Sequence, residues 1–125
     1  MPVNIAVIDD DEAILDSVKL VLEEQQWRVR TYTTGEEFLA DVNNHGLNCV
    51  ILDPHLPGVS GVEVARSVAR DSPGVPIIGL TAQPVSPLTL QIVNVNARVM
   101  LIKPVSAEVL VDQIQTAINE RGEAR

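Results

Sequence analysis

Four short apolar runs, each ending in a polar residue, constrain this chain more than any other feature. Ile5-Ala6-Val7-Ile8 leads into Asp9-Asp10, and Cys49-Val50-Ile51-Leu52 leads into Asp53. Ile77-Ile78-Gly79-Leu80 leads into Thr81, and Val99-Met100-Leu101-Ile102 into Lys103-Pro104. Unbroken apolar runs of this length mark strands covered on both faces, as in parallel sheets. With a further strand at 27–32, the pattern predicts strands near 4–8, 27–32, 49–53, 76–80 and 99–102. Helical periodicity fills the intervals near 12–25, 35–43, 61–71, 86–95 and 107–120. Strict alternation of this kind predicts a parallel α/β sheet with right-handed crossovers and helices on both faces.

Local signals place the helices. Ile14, Leu15, Val18, Val21 and Leu22 recur at the spacing of one helix face. Asp11 and Glu12 suit a helix N-terminus on electrostatic grounds alone. Ser60 stands three residues before Glu63, a capping-box spacing, and Pro73-Gly74 ends that helix. Ser86-Pro87 reads as an N-cap followed by proline at the first helical position. The last helix starts at Ser106 with Glu108 in its first turn and is expected to bury Val109, Leu110, Ile114 and Ile118. Asn43-Asn44-His45-Gly46 reads as a turn.

The chain has 125 residues, 46% of them hydrophobic, enough for one domain with a core. We expect that domain to span residues 1–120, with 121–125 a frayed tail or the start of a linker. No apolar run approaches the ~20 residues of a membrane helix, and the first residues lack a basic start and a cleavage pattern. A net charge of −8 argues against direct nucleic-acid binding. Cys49 is the only cysteine, so no intramolecular disulfide exists, and a cytoplasmic setting is the expectation. Trp27, Tyr32 and Phe38, the only aromatics, form no stacking platform for nucleic acid or flavin.

A parallel sheet gathers its strand ends along one edge, where such folds build their sites. There Asp9, Asp10, Asp53, Thr81 and Lys103 would meet. Three clustered carboxylates repel one another unless a cation neutralises them. A hard divalent metal satisfies that need, with an anion bridging the metal, Thr81 and Lys103. Each signal alone has a bland reading: a helix N-terminus for the acidic pair, a turn for Asp53-Pro54. The chain has only two lysines, however, and one of them falls on this edge.

On these residues the sequence resembles the receiver domain of two-component response regulators, from Val3 to about Ile118. The matching pieces are Asp9-Asp10, Asp53 with Leu56-Pro57-Gly58-Val59-Ser60-Gly61, Thr81-Ala82 and Lys103-Pro104. The resemblance implies a flavodoxin-like (βα)5 fold, strand order 2-1-3-4-5, with a cis Lys-Pro peptide. It implies that Asp53 is the phosphoacceptor, taking a phosphoryl group from a histidine kinase or phosphotransfer protein. Mg²⁺ or Mn²⁺ would be held by Asp9, Asp10, Asp53 and the backbone carbonyl of His55. Thr81 would be the switch hydroxyl, with Met100 repacking as the second switch residue, and Lys103, Thr81 and Ala82 would bind the phosphoryl group. Signal would leave through the fourth helix, fifth strand and fifth helix, to an output domain, a partner protein or a second copy on activation.

The chain departs from the family in places. Met100 stands where receivers carry a switch Tyr or Phe, Asn96-Ala97 replaces Gly-Ala and serves as a C-cap, and Val105 follows the Lys-Pro pair. His55 and Gln83, two residues beyond Asp53 and Thr81, flank the phosphoryl site as modulators of phosphoryl lifetime; a solvated loop histidine is the plainer reading of His55. Residues 72–97 carry no charged side chain. Within them Leu88, Ile92 and Val95 suit a core stripe, leaving Leu90 and Val93 for a partner-binding patch or for a face solvated by Thr89, Gln91 and Asn94. The competing functions are a degenerate receiver acting without phosphate and an aspartyl-phosphate phosphatase. The latter wants a second Asp where His55 stands. We expect a signalling switch rather than an enzyme.

Overall fold

In a computed structural model describing residues 2–41, 46–95 and 97–123, every expected strand and helix forms. The strands are β1 (Asn4–Ile8), β2 (Arg28–Tyr32), β3 (Cys49–Leu52), β4 (Ile77–Thr81) and β5 (Val99–Ile102). They alternate with helices α1 (Glu12–Glu23), α2 (Gly35–Ala40), α3 (Gly61–Asp71), α4 (Pro87–Asn94) and α5 (Ala107–Glu123). All pairings are parallel, in the order β2-β1-β3-β4-β5. The apolar runs cause this arrangement. Successive side chains of β1 alternate between faces, so Ala6 and Ile8 join one core with Phe38, Val64 and Ile92, while Ile5 and Val7 join the other with Leu15, Leu22 and Ile114. Helices α2, α3 and α4 cover the first face; α1 and α5 cover the second.

The caps follow the sequence. Asp11 accepts from the amides of Ala13 and Ile14, Ser60 from Glu63 and Ser86 from Thr89. Ends shift where tertiary contacts decide. Helix α1 stops at Glu23, short of the expected 25, because Gln26 takes a left-handed conformation (φ 64°). Helix α2 stops at Ala40 rather than 43; the next residue, Asp41, accepts the Tyr32 hydroxyl at 2.7 Å. The turn expected at His45 and the cap expected of Asn96 lie outside the described residues. Helix α5 runs on to Glu123, past the expected 120, with Glu120 paired to Arg98 and Arg121 Nη1 donating to the Leu47 carbonyl at 3.0 Å.

One core expectation fails. Val109 is 45% exposed, and Ala117 is buried with Leu110 and Ile114 instead. The stripe of α5 is set by Leu110, Ile114 and Ala117, and Val109 lies about 100° around the helix from Leu110. Cys49 is fully buried in β3, and burial pushes its thiol up to about 12, so it is inert. No described helix is long and apolar enough to cross a membrane.

Candidate functional site

Sheet register assembles the site. Ile8 pairs with Leu52, so the residues that follow, Asp9 and Asp53, leave adjacent strands side by side. Here the connections from β1 and β3 diverge to opposite sides of the sheet, which is where open α/β sheets leave a crevice. Asp9 and Asp53 are 2% and 7% exposed, while Asp10 stays at the surface. Carboxylate oxygens of all three lie within 4.8 Å of one another. Asp9 Oδ1 accepts the Asp11 amide at 2.9 Å, and Asp53 Oδ1 accepts the His55 amide at 2.8 Å. These local bonds orient both carboxylates before any ligand arrives.

Lys103 completes the cluster from β5. Its backbone N–H donates to the Thr81 carbonyl at 2.8 Å, and its peptide bond to Pro104 is cis, as the resemblance implied. Nζ lies 2.9 Å from Asp53 Oδ2 in a hydrogen bond and 2.7 Å from Asp9 Oδ2 in an ion pair. The second contact is close but poorly aligned, and Asp9 Oδ2 is the one fully buried side-chain oxygen or nitrogen among the described residues with no hydrogen-bond donor aimed at it. Burial raises the Asp9 carboxyl above the usual range despite the opposing pull of Lys103 and the Asp11 amide, and the Asp53 charge adds to the rise. Burial alone would lower the Lys103 ammonium, but its contacts with Asp9 and Asp53 raise it. One ammonium thus serves two buried carboxylates, with the third, Asp10, beside them, and its contact with Asp9 Oδ2 is poorly aligned. That donor set fits a hard, oxygen-preferring divalent cation.

Thr81, fully buried at the end of β4, faces the same crevice. Its hydroxyl accepts the Gln83 amide at 2.9 Å and lies 3.3 Å from His55 Nδ1. His55 is not a solvated loop residue. Its ring sits 3.6 Å from Asp53 Oδ1 through Nδ1 and 2.8 Å from Ser86 Oγ through Nε2, with the side chain 19% exposed. Ala82 and Gln83 are at the surface. Met100 sits apart from the cluster, opposite Gly79 across the β4–β5 ladder, where a Cβ on Gly79 would come 2.3 Å from its sulfur. At Gly61 a Cβ would stand 2.4 Å from the Asp53 carbonyl oxygen, so only glycine lets α3 begin this close to β3. Grooves also run along α2–α3 at Leu39 and Asp71 and along α1–α5 at Val21 and Val111.

Two residues of this region had no role in the sequence reading beyond a cap and a solvated helix face. Ser86 contacts His55, and Thr89 is 3% exposed rather than solvated. The sole signal was the Ser-x-x-Thr spacing, which puts both hydroxyls on the first turn of α4.

The model of the response regulator receiver domain family matches residues 5–115, and the chain belongs to that family. Among curated proteins, response regulator protein TmoT of Ectopseudomonas mendocina is 30% identical over 114 residues, 91% of this chain and 52% of that protein. Transcriptional regulatory protein AfsQ1 of Streptomyces coelicolor is 34% identical over 120 residues, 96% of this chain and 52% of its own length. The chain therefore spans about half the length of the curated relatives it matches. The CheY-like receiver domain protein of Methanospirillum hungatei superposes with a TM-score of 0.93 at 29% identity, each chain covered completely. The BeF3-activated DrrB receiver domain gives 0.85 at 32% identity, over 95% of this chain and 99% of its own. The fold is that of these receivers, and the chain is the receiver domain of a two-component response regulator.

Proposed function

We propose that Asp53 accepts a phosphoryl group from the phosphohistidine of a histidine kinase or phosphotransfer protein, and that the aspartyl phosphate switches the α4–β5–α5 face. The observation that carries this reading is the placement of Asp53. Of the three carboxylates it alone lies between Lys103 on one oxygen and the His55–Thr81 pair on the other. An Asp53 oxygen attacks phosphorus in line, the P–N bond breaks, and its electron pair leaves with the donor imidazole, which is protonated. The Lys103 ammonium then exchanges its carboxylate partners for the phosphoryl oxygens. Thr81 Oγ and the Ala82 amide donate to the same group. Asp9, Asp10, Asp53 and the His55 carbonyl would hold Mg²⁺ or Mn²⁺, which supplies charge neutralisation during transfer. His55 and Gln83 border the route that a hydrolytic water must take, and so set phosphoryl lifetime. The receiver, a cytoplasmic module in this reading, spans residues 1–120 together with the last turn of α5, where Arg121 is held by the Leu47 carbonyl. Incubation with acetyl phosphate and Mg²⁺ should add one phosphoryl mass, labile to hydroxylamine; a protein that gains none under those conditions is not this kind of switch.

Metal binding should be visible as stability. Mg²⁺ at about a hundred times its Kd adds about 2.7 kcal/mol to the folded state. For a domain of this size that is a rise in Tm on the order of 10 °C. Asp10→Ala, which removes an exposed carboxylate, should lose most of that rise with little change to the metal-free Tm. An equal Mg²⁺ shift in variant and parent counts against Asp10 as a ligand.

The output face is supported by exposed apolar residues, Val85 at 89%, Leu90 at 60%, Val93 at 49%, Ile102 at 54% and Val109 at 45%, the first three of them in the uncharged stretch 72–97. Charge depletion of this kind suits an interface core. Sedimentation with and without beryllofluoride should show activation-dependent self-association, or a pull-down should show binding to a cognate output. Leu90→Glu should weaken either complex about tenfold or more, the effect of placing a charge in an apolar contact. Unchanged affinity would move the interface elsewhere.

A further inference from the structure

Thr81, His55, Ser86, Thr89 and Gln83 close a hydrogen-bonded ring whose donors and acceptors, for a neutral His55 imidazole, can be assigned in one direction. The Gln83 N–H donates to Thr81 Oγ at 2.9 Å, which fills one acceptor position there. At the other end, Thr89 Oγ donates its only proton to the Gln83 carbonyl at 2.8 Å. The 2.9 Å contact between Ser86 Oγ and Thr89 Oγ must therefore use the serine proton. With its proton committed, Ser86 Oγ accepts from His55 Nε2–H at 2.8 Å. A neutral imidazole carrying its proton on Nε2 offers a lone pair at Nδ1, and Thr81 Oγ–H donates to it at 3.3 Å. Every group is used once as a donor, and the circuit begins and ends at Gln83.

The ring ties the metal-side crevice to α4. Ser86 is the N-cap of α4 and also accepts the Thr89 amide at 3.1 Å. The Thr81 proton points at His55, so it is unavailable to an oxygen on Asp53. We infer that His55 is a positioning residue that latches the unphosphorylated state, holding the Thr81 hydroxyl on Nδ1 and bracing the α4 N-cap through Nε2. This rests on Asp53 as phosphoacceptor and adds a mechanism for how occupancy reaches α4. When a phosphoryl oxygen claims the Thr81 proton, the ring opens at Thr81–His55 and the brace on Ser86 loosens with it. Until then the latch taxes activation, because the site binds a phosphoryl mimic only after giving up a hydrogen bond.

Beryllofluoride with saturating Mg²⁺ is the probe, its affinity measured by calorimetry on the parent, His55→Ala, Thr89→Val and the double variant. Each single substitution is expected to raise affinity about fivefold, one net hydrogen bond's effect. Thr89 lies on the far side of Ser86 from Asp53, so its effect reports the ring rather than contact with the ligand. The double variant should gain no more than either single one, since a ring opens once. Multiplying gains, or unchanged affinity in both singles while the parent binds, would overturn the latch and leave the phosphoacceptor reading intact. A parent that binds no beryllofluoride would overturn both. Nitrogen NMR of the His55 ring in the unmodified protein needs no substitution: protonated Nε2 with bare Nδ1 is expected, and either the opposite tautomer or a ring protonated on both nitrogens would overturn the ring.

Discussion

Replacing Asp53 with Asn is expected to abolish phosphoryl uptake from acetyl phosphate while leaving the fold intact. An amide oxygen carries no negative charge and an amide nitrogen no available lone pair, so the in-line attack has no nucleophile. The rate should fall roughly a thousandfold or more, the scale of loss when an enzyme's nucleophile is removed. The side chain itself should remain seated, because Asn keeps the oxygen that accepts the His55 amide. It also removes one charge from a crowded acidic cluster, so stability should change by about 1 kcal/mol or less. Intact-mass measurement checks the first claim and thermal melting the second. An Asp53→Asn protein that still gains a hydroxylamine-labile phosphoryl mass would transfer the role to Asp9 or Asp10.

Lys103→Gln should do more damage to the resting protein than to any other state. The substitution strands Asp9, which is 2% exposed and has no other cation at its Oδ2. Removing one member of a largely buried ion pair costs about 3 kcal/mol, and in a domain of this size Tm should drop on the order of 10 °C. Two conditions should restore stability. Mg²⁺ takes over the missing charge, so its stabilising shift should be larger in the variant than in the parent. Acid should help as well. The Asp9 carboxyl is raised in the folded protein, so the folded state takes up its proton before the unfolded chain does. The cost of ionised Asp9 is therefore present above that raised value and relieved as pH falls through it. Melting at neutral and mildly acidic pH, with and without Mg²⁺, tests all of this. Equal Mg²⁺ shifts in variant and parent would show that Lys103 does not shield the carboxylates. Phosphoryl uptake should fall too, since the transferred charge loses its counter-ion.

The fold was legible because the apolar runs of β1, β3 and β4 are unbroken and the helix starts carry their own caps at Asp11, Ser60 and Ser86. Where the reading slipped, the deciding contact was distant in sequence. Nothing local to residue 121 announces that its guanidinium will reach Leu47, which holds the last turn of α5 in place. Val109 looked like core because periodicity alone cannot choose between neighbouring stripes of one helix. The carboxylates, Thr81 and Lys103 were legible from strand phase: each follows an apolar run, so parallel pairing must bring them to one edge. His55 was not. Whether a loop histidine is solvated depends on what stands across from it, and here that is Ser86, 31 positions on.

Gly79 and Met100 form a packing unit with a consequence for how descendants of this chain can vary. The thioether lies in the space that any side chain on β4 would occupy, with its sulfur 2.3 Å and its methyl 2.4 Å from where a Cβ would stand. A larger residue at 79 needs the flexible end of the Met100 side chain to swing aside. A methyl group at 79 evicts Met100 from its seat, and a rigid ring at 100 cannot fold down over the vacated strand as a thioether does. A larger residue at 79 should therefore be found most often with a side chain at 100 that stands clear of the sheet. In a collection of close relatives that co-variation would be the mark of this seat, and its strength would show how far back in the lineage the glycine and the methionine were acquired together.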